Sequence, residues 1–343
     1  MADLKRLGRL VEIDALRGIA ALAVVLFHYT TGFSSLFGQN PPPTISFPGG
    51  HYGVNLFFII SGFVIFMTLE KTLRPMDFIV SRFSRLFPAY WVAIILTFFI
   101  THLLGLPGKL VDMTTAFGNI IMIHGLFQIP HVDGVYWTLE VELLFYCGMF
   151  LLYRFRCLHL ITHALLGLLI LRVTYFLLAR EYGIELSWTI SRLLILKYIP
   201  WFAIGISVYL ATNRHGVATW HRPALISCCA ILSLFIVDSI FEAILAIALG
   251  MLVFLAASSR APILRHRLLV WLGTITYPLY LLHENIGWSL QLQLNAQGIP
   301  TDAAIVIALV CSLALADALT RWVEQPALRS IRAAYQRRFA MVR

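Results

Sequence analysis

The chain consists of long apolar blocks divided by short breaks rich in Pro, Gly and charge. Residues 14–33 read DALRGIAALAVVLFHYTTGF, and Ile19 to Phe27 are almost wholly apolar without proline. This pattern predicts one membrane-spanning helix, with Arg17 near its start and His28 about three turns later. At ~1.5 Å per residue the histidine stands roughly 16 Å further along the axis. A hydrocarbon core about 30 Å thick would hold the arginine near one interface and the histidine toward the other. Both side chains are expensive in lipid and are expected to face protein or a water-filled cavity.

The same patterning predicts further helices at about 53–69, 88–106, 136–153, 159–179, 193–211, 223–237, 240–257, 270–290 and 302–321. Pro88 is expected to open the third helix, because a first turn has no use for its missing N–H. The division between 223–237 and 240–257 rests on the polar pair Asp238–Ser239. Loop 34–52 contains Pro41, Pro42, Pro43, Gly49 and Gly50 and is expected to be irregular. In the connection 107–135, the apolar stretch 115–127 is short for a span and suits an interfacial or re-entrant piece. The predicted fold class is all-α: a polytopic integral membrane bundle of about ten transmembrane helices. One membrane domain covers 1–329, and a basic cytoplasmic tail covers 330–343.

Composition supports the membrane reading. The 343 residues are 59% hydrophobic and only 13% charged, against roughly 25% charge in an ordinary soluble domain. A soluble protein with one anchor is excluded. The first apolar block follows a basic start (Lys5, Arg6, Arg9) without a convincing small-residue cleavage site, so it is expected to be retained. Five cysteines, at 147, 157, 228, 229 and 311, form no CxxC pair and signal neither a disulfide framework nor a metal site.

The net charge of +9 calls for a membrane explanation rather than a nucleic-acid partner. With a cytoplasmic N-terminus and ten spans, the inner side receives most of the 26 Lys and Arg residues. These include Lys71, Arg74, Arg82 and Arg85 after the second helix, then Arg154, Arg156, Arg214, Arg222, Arg260, Arg265 and Arg267. Lys109 and Arg180 fall in outer loops. The asymmetry predicts both termini in the cytoplasm and a multi-pass protein of the plasma membrane, the inner membrane of a bacterium.

Several polar groups suit chemistry. Arg82 and Arg85, three apart, share a helical face, and with Lys71 and Arg74 they could form an anion-binding mouth or serve as ordinary inner-loop charge. Glu140 and Glu142 point about 200° apart on a helix, so one of them is expected to face a given cavity. A His–Glu pair would make a general base, the carboxylate orienting the imidazole and stabilising its charged form.

The set RGIAALAVVLFHY (17–29), GVNLFFIISGFVI (53–65), RFSRLFPAYW (82–91) and WTLEVELLFY (137–146) resembles the membrane-bound acyltransferase-3 family. The match continues through LGTITYPLYLLH (272–283) to VEQPALR (323–329). Members O-acylate sugars and some lipids or small molecules, and they have a ten-helix membrane domain. The resemblance implies acyl-CoA, acetyl-CoA in the simplest case, as a cytosolic co-substrate, with no metal. It places the family's first-helix arginine and histidine on Arg17 and His28, and its paired arginines on Arg82 and Arg85. Its tryptophan–serine–leucine–x–x–glutamate motif falls on Trp137, Thr138, Leu139 and Glu142, with Thr138 keeping the hydroxyl. His283 occupies the late histidine, either lining the cavity or packing structurally.

The reading that results has Arg82 and Arg85, helped by Lys71 or Arg74, holding acyl-CoA phosphates while Arg17 lines the passage. His28, balanced by Glu142, deprotonates an acceptor hydroxyl, and Thr138 is a candidate for the oxyanion. Arg172 pairs with a glutamate or lines the donor channel. The expected function is acyl transfer to a cell-surface or lipid-linked carbohydrate. The alternatives are acylation of a lipid or small hydrophobic acceptor, and a transporter, for which no internal repeat is found.

Overall fold

The computed structural model describes residues 10–39, 41–184, 186–213 and 220–340, with side chains through 337. Lys5, Arg6, Arg9, Arg214 and the end of the 330–343 tail lie outside the described residues. Every regular element among the described residues is helical. In order these are α1 (Val11–Phe27), α2 (Phe33–Phe37), α3 (Gly53–Glu70), α4 (Pro75–Leu104), α5 (Met113–Gly118), α6 (Tyr136–Arg154), α7 (Ile161–Tyr182), α8 (Trp188–Leu193), α9 (Ile199–Thr212), α10 (His221–Val237), α11 (Ile240–Ala257), α12 (Arg267–Leu282), α13 (Glu284–Ala296), α14 (Thr301–Leu319) and α15 (Gln325–Ala340). Two π turns, His28–Gly32 and Thr320–Glu324, continue α1 and α14.

The all-α class holds, but the count of about ten transmembrane helices does not. Five described segments are long and apolar enough to cross a bilayer: Pro48–Glu70, Pro75–Leu104, Leu158–Tyr182, Ile240–Ala257 and Thr301–Arg337. The reason is length. Hydropathy marks α9, α10 and α12 as apolar, yet they contain only 14, 17 and 16 residues. At 1.5 Å per residue each falls short of a core about 30 Å thick. Helix α6 has 19 residues but carries Glu140, Glu142 and Arg154. The placement of both termini in the cytoplasm used an even count of ten and loses its footing with that count. The chain remains a multi-pass membrane protein.

Three boundaries also move. Helix α4 opens at Pro75, after the extended Arg74, so Pro88 lies in its interior and Arg82 and Arg85 are helical. The block 193–211 becomes helical only from Ile199, where α9 opens with Pro200 in its first turn, and the short α8 ends at Leu193. The block 270–290 breaks at His283, between α12 and α13. The Asp238–Ser239 division stands where the sequence places it: Ser239 Oγ accepts the Glu242 N–H at 3.1 Å and caps α11.

The chain forms two compact units. The first comprises Met1–Arg17, Asn55–Thr72 and Val141–Gly273. Its helices α3 and α9 meet backbone to backbone: a Cβ on Gly62 would lie 2.2 Å from the Phe202 carbonyl oxygen, and one on Gly205 1.9 Å from that of Ile59. Small residues allow this approach where apolar helices gain little from hydrophobic segregation. Phe145 stacks on Phe202 with centroids 4.0 Å apart. In the same unit buried Arg172 donates to the Ser233 carbonyl at 2.8 Å, to Ser233 Oγ at 2.6 Å, and to Asp238.

The second unit comprises Gly18–Val54, Leu73–Glu140 and Thr274–Arg343. Asn119 organises its long connection. Its side chain donates to the Pro130 carbonyl at 2.9 Å and accepts the Val132 N–H at 3.0 Å, while its own carbonyl accepts from Tyr90 at 2.8 Å. The segment 130–135 is thereby fixed in place beside α13, where Asn285 Nδ2 donates to the Val132 carbonyl at 2.9 Å.

Candidate functional site

The site is assembled within the second unit, where α1 passes into a π turn at His28. Such turns displace side chains from the regular helical register and recur at functional positions. His28 Nδ1 lies 2.9 Å from His283 Nε2. The other nitrogen of His283, Nδ1, faces only the carbonyls of Tyr280 (2.9 Å) and Leu279 (3.2 Å). Carbonyls accept and never donate, so His283 Nδ1 carries the proton and its Nε2 is an acceptor. His28 Nδ1 therefore donates to it, and His28 Nε2 is left with a free lone pair. That nitrogen stands 3.4 Å from Glu284 Oε2.

The surroundings fix this arrangement. Trp288 Nε1 donates to the His28 carbonyl at 2.9 Å, and Tyr29 Oη donates to that of His283 at 2.8 Å. Tyr29 also sits 2.5 Å from Ser312 Oγ. Gly134 presses on the carboxylate: a Cβ there would lie 2.3 Å from Glu284 Oε1. Asp133, fully buried beside it, accepts N–H groups from Asn285 (3.1 Å) and Val135 (3.2 Å). Burial pushes the Asp133 carboxyl up to about 7, against those two bonds and the charge of Lys109. Lys109 itself lies over the Trp288 ring, 5.6 Å from its centroid. The result is an imidazole, 17% exposed, beside a buried acid, with a second buried acid and one cation nearby.

The structure brings together His28 and His283 among the residues singled out by sequence. Glu142 lies in the first unit, half-buried, and accepts hydrogen bonds from Ser61 and from Tyr146 (2.6 Å). The Thr138 hydroxyl lies 2.9 Å from the Val135 carbonyl and 2.8 Å from Tyr280 Oη, and its neighbour Trp137 is half-buried. Arg17 is half-buried on α1, Lys71 and Arg74 are exposed, and Arg82 and Arg85 are half-buried on α4. Arg172 belongs to the Ser233–Asp238 cluster of the first unit. Among the described residues no group of three or more His, Cys, Asp or Glu could hold a metal ion.

Sequence reasoning passed over Glu284, Trp288, Asp133 and the part played by Lys109. The signal for Glu284 was present as the acidic residue directly after a histidine in LLHENIGW. That for Asp133 was the Asp–Gly pair just ahead of WTLEVE.

Comparison with known proteins gives the family and its relatives. "Protein 2 in picA locus" of Rhizobium radiobacter is 34% identical over 113 residues, 31% of this chain and 54% of that protein. Peptidoglycan O-acetyltransferase OatA of Listeria monocytogenes is 31% identical over 90 residues, 24% of this chain and 12% of that one. Exopolysaccharide production protein ExoZ of Rhizobium meliloti is 30% identical over 115 residues, 28% of this chain and 32% of its own length. The match thus spans about half or less of each of these relatives. No solved structure gives a significant match. Residues 10–321, nearly the whole chain, match the acyltransferase-3 family, described as an acyltransferase domain, and the chain belongs to that family.

Proposed function

We propose that this protein transfers an acyl group, acetyl in the simplest case, from acyl-CoA to a hydroxyl of a cell-surface or lipid-linked carbohydrate, working in the plasma membrane. The observation that carries this reading is the tautomer chain through His283, which leaves His28 Nε2 unprotonated. Family membership supplies the reaction class. The names of two relatives, a peptidoglycan O-acetyltransferase and an exopolysaccharide production protein, supply the acceptor class.

In the reaction, His28 Nε2 takes the proton of the acceptor hydroxyl as its oxygen attacks the thioester carbon. The carbon–sulfur bond then breaks, and the imidazolium returns the proton to the departing thiolate. Glu284, 3.4 Å from Nε2, stabilises the imidazolium between these two steps. Lys109 provides positive charge beside the base, where oxygen becomes anionic. Arg82 and Arg85, with Arg74, are assigned to the phosphates of the donor. Glu142, held by Ser61 and Tyr146, is assigned a supporting role.

The test is transfer of isotopically labelled acetyl from acetyl-CoA in membranes containing the wild-type protein or His28→Ala at matched expression. Glycans and lipids are both read by mass spectrometry. An acetylated glycan that vanishes with the variant is the expected result. Undiminished transfer by the variant would overturn the role of His28, and a labelled lipid in place of a glycan would overturn the acceptor class.

A further inference from the structure

The family match stops at residue 321, and α15 lies beyond it. This helix packs on α4 within the second unit. On α4, Asp77, Ser81 and Arg85 recur every four residues and share one face. On α15, Arg332 and Tyr335 are three apart and meet that face.

The contact collects positive charge. Arg332 Nη2 donates to Ser81 Oγ at 3.0 Å, and Arg82 Nη2 donates to the same oxygen at 3.3 Å. Arg85 is close enough for its charge to act on Arg332. One hydroxyl therefore serves two guanidinium groups with a third beside them. The nearest carboxylate on that face, Asp77, is taken by Tyr335, which donates to it at 2.8 Å. Among the described residues neither Arg85 nor Arg332 has an ion-pair partner. Arg332 Nε is buried and without a hydrogen-bond partner.

Like charges gathered at one point repel, and a buried N–H left unbonded loses its solvation without compensation. A ligand that brings several acceptor oxygens and two negative charges would relieve both. A phosphate ester has that shape, and guanidinium forks bind it in pairs. We propose that Arg332 of α15, together with Arg82, Arg85 and Ser81 of α4, forms a phosphate-binding site. In the reaction proposed above, on which this assignment of source rests, the phosphate belongs to acyl-CoA. An anionic phospholipid headgroup offers the same chemistry. The inference adds a residue and an element that the family match does not include.

The experiment uses the full-length protein in phosphatidylcholine nanodiscs, with coenzyme A titrated by calorimetry. Arg332→Gln is expected to weaken binding about tenfold, the value of one charge-assisted bond pair. Arg332→Lys, which keeps charge without the fork, is expected to lose less. Arg337→Gln, on the same helix but exposed, serves as the control and is expected to bind as wild type. In a second arm the discs contain phosphatidylglycerol. If that lipid raises the thermal stability of the wild type but not of R332Q, while neither binds coenzyme A, the phosphate site stands with the lipid as its source, and the donor reading loses its support. Wild-type coenzyme A affinity and lipid response in R332Q would overturn the proposal, and so would a matching loss in R337Q. Binding by His28→Ala separates this result from the catalytic reading, because that variant is expected to bind coenzyme A normally whether or not it transfers acetyl.

Discussion

His283 Nε2 accepts the proton on His28 Nδ1 across 2.9 Å, and the carbonyls of Tyr280 and Leu279 hold His283 in the one tautomer that permits it. The second histidine thus determines which nitrogen of the first can act as a base. His283→Ala would leave His28 free to carry its proton on either nitrogen and to rotate. Turnover is expected to fall roughly 10²-fold, within the range for a positioned general base, with little change in the KM for acyl-CoA. His283→Gln, whose amide oxygen can still accept from Nδ1, is expected to recover part of the loss. Steady-state kinetics of the three proteins checks this. A KM effect without a turnover effect would remove His283 from the chemistry.

Gly134 supplies an independent handle on the carboxylate. Its Cβ would lie 2.3 Å from Glu284 Oε1, a separation no folded protein sustains, so Gly134→Ala must push Glu284 away from its place. Turnover is expected to drop as far in G134A as in Glu284→Ala. The double variant is expected to be no worse than either, because both remove one interaction. Additive losses in that cycle would place the effect of Gly134 elsewhere.

Much of this fold and site was visible in the residues, and what was not has physical causes. Helical class and the break at Asp238–Ser239 follow from local pattern, and Arg17, His28 and His283 stand out as polar groups within apolar blocks. Span number did not follow, because hydropathy reports how apolar a block is but not how many residues stay helical. Residues 194–198 ahead of α9, and His283 between α12 and α13, are not helical although they lie inside blocks that read as continuous. The second break also hid Glu284. On one unbroken helix it would point about 100° away from His283, whereas at the start of α13 it reaches His28. Asp133 and Lys109 reside in a connection whose path is set by Asn119, through contacts far apart in sequence.

Asp133 makes stability depend on pH. Its carboxyl is ordinarily half-protonated near pH 3.9 when exposed, and burial raises this to about 7 in the folded protein. Between roughly pH 4 and 7 the folded state therefore holds more of this proton than the unfolded state does. Stability falls as pH rises through that window and levels off above it. Asp133→Asn removes the titrating group. Its Tm, measured by thermal unfolding in detergent, is expected to change less between pH 4 and 7 than that of the wild type. An equal slope in both proteins would show that Asp133 is ionised throughout.

Arg172 was open between a donor channel and a structural pair, and its contacts favour the second. The guanidinium is fully buried and bonded to the carbonyl and hydroxyl of Ser233 and to Asp238, which joins α7 to the end of α10. Asp238 is 27% exposed, so it can recover some solvation when its partner is lost, whereas Arg172 cannot. Removing one member of a buried pair costs about 3–5 kcal/mol because the other charge stays behind. Asp238→Ala strands the buried guanidinium and is expected to lower Tm more than Arg172→Ala, which strands only a partly exposed carboxylate. In both, the folded fraction is expected to keep the wild-type turnover number and KM for acyl-CoA. A raised KM in Arg172→Ala at unchanged Tm would return this arginine to the path of the donor.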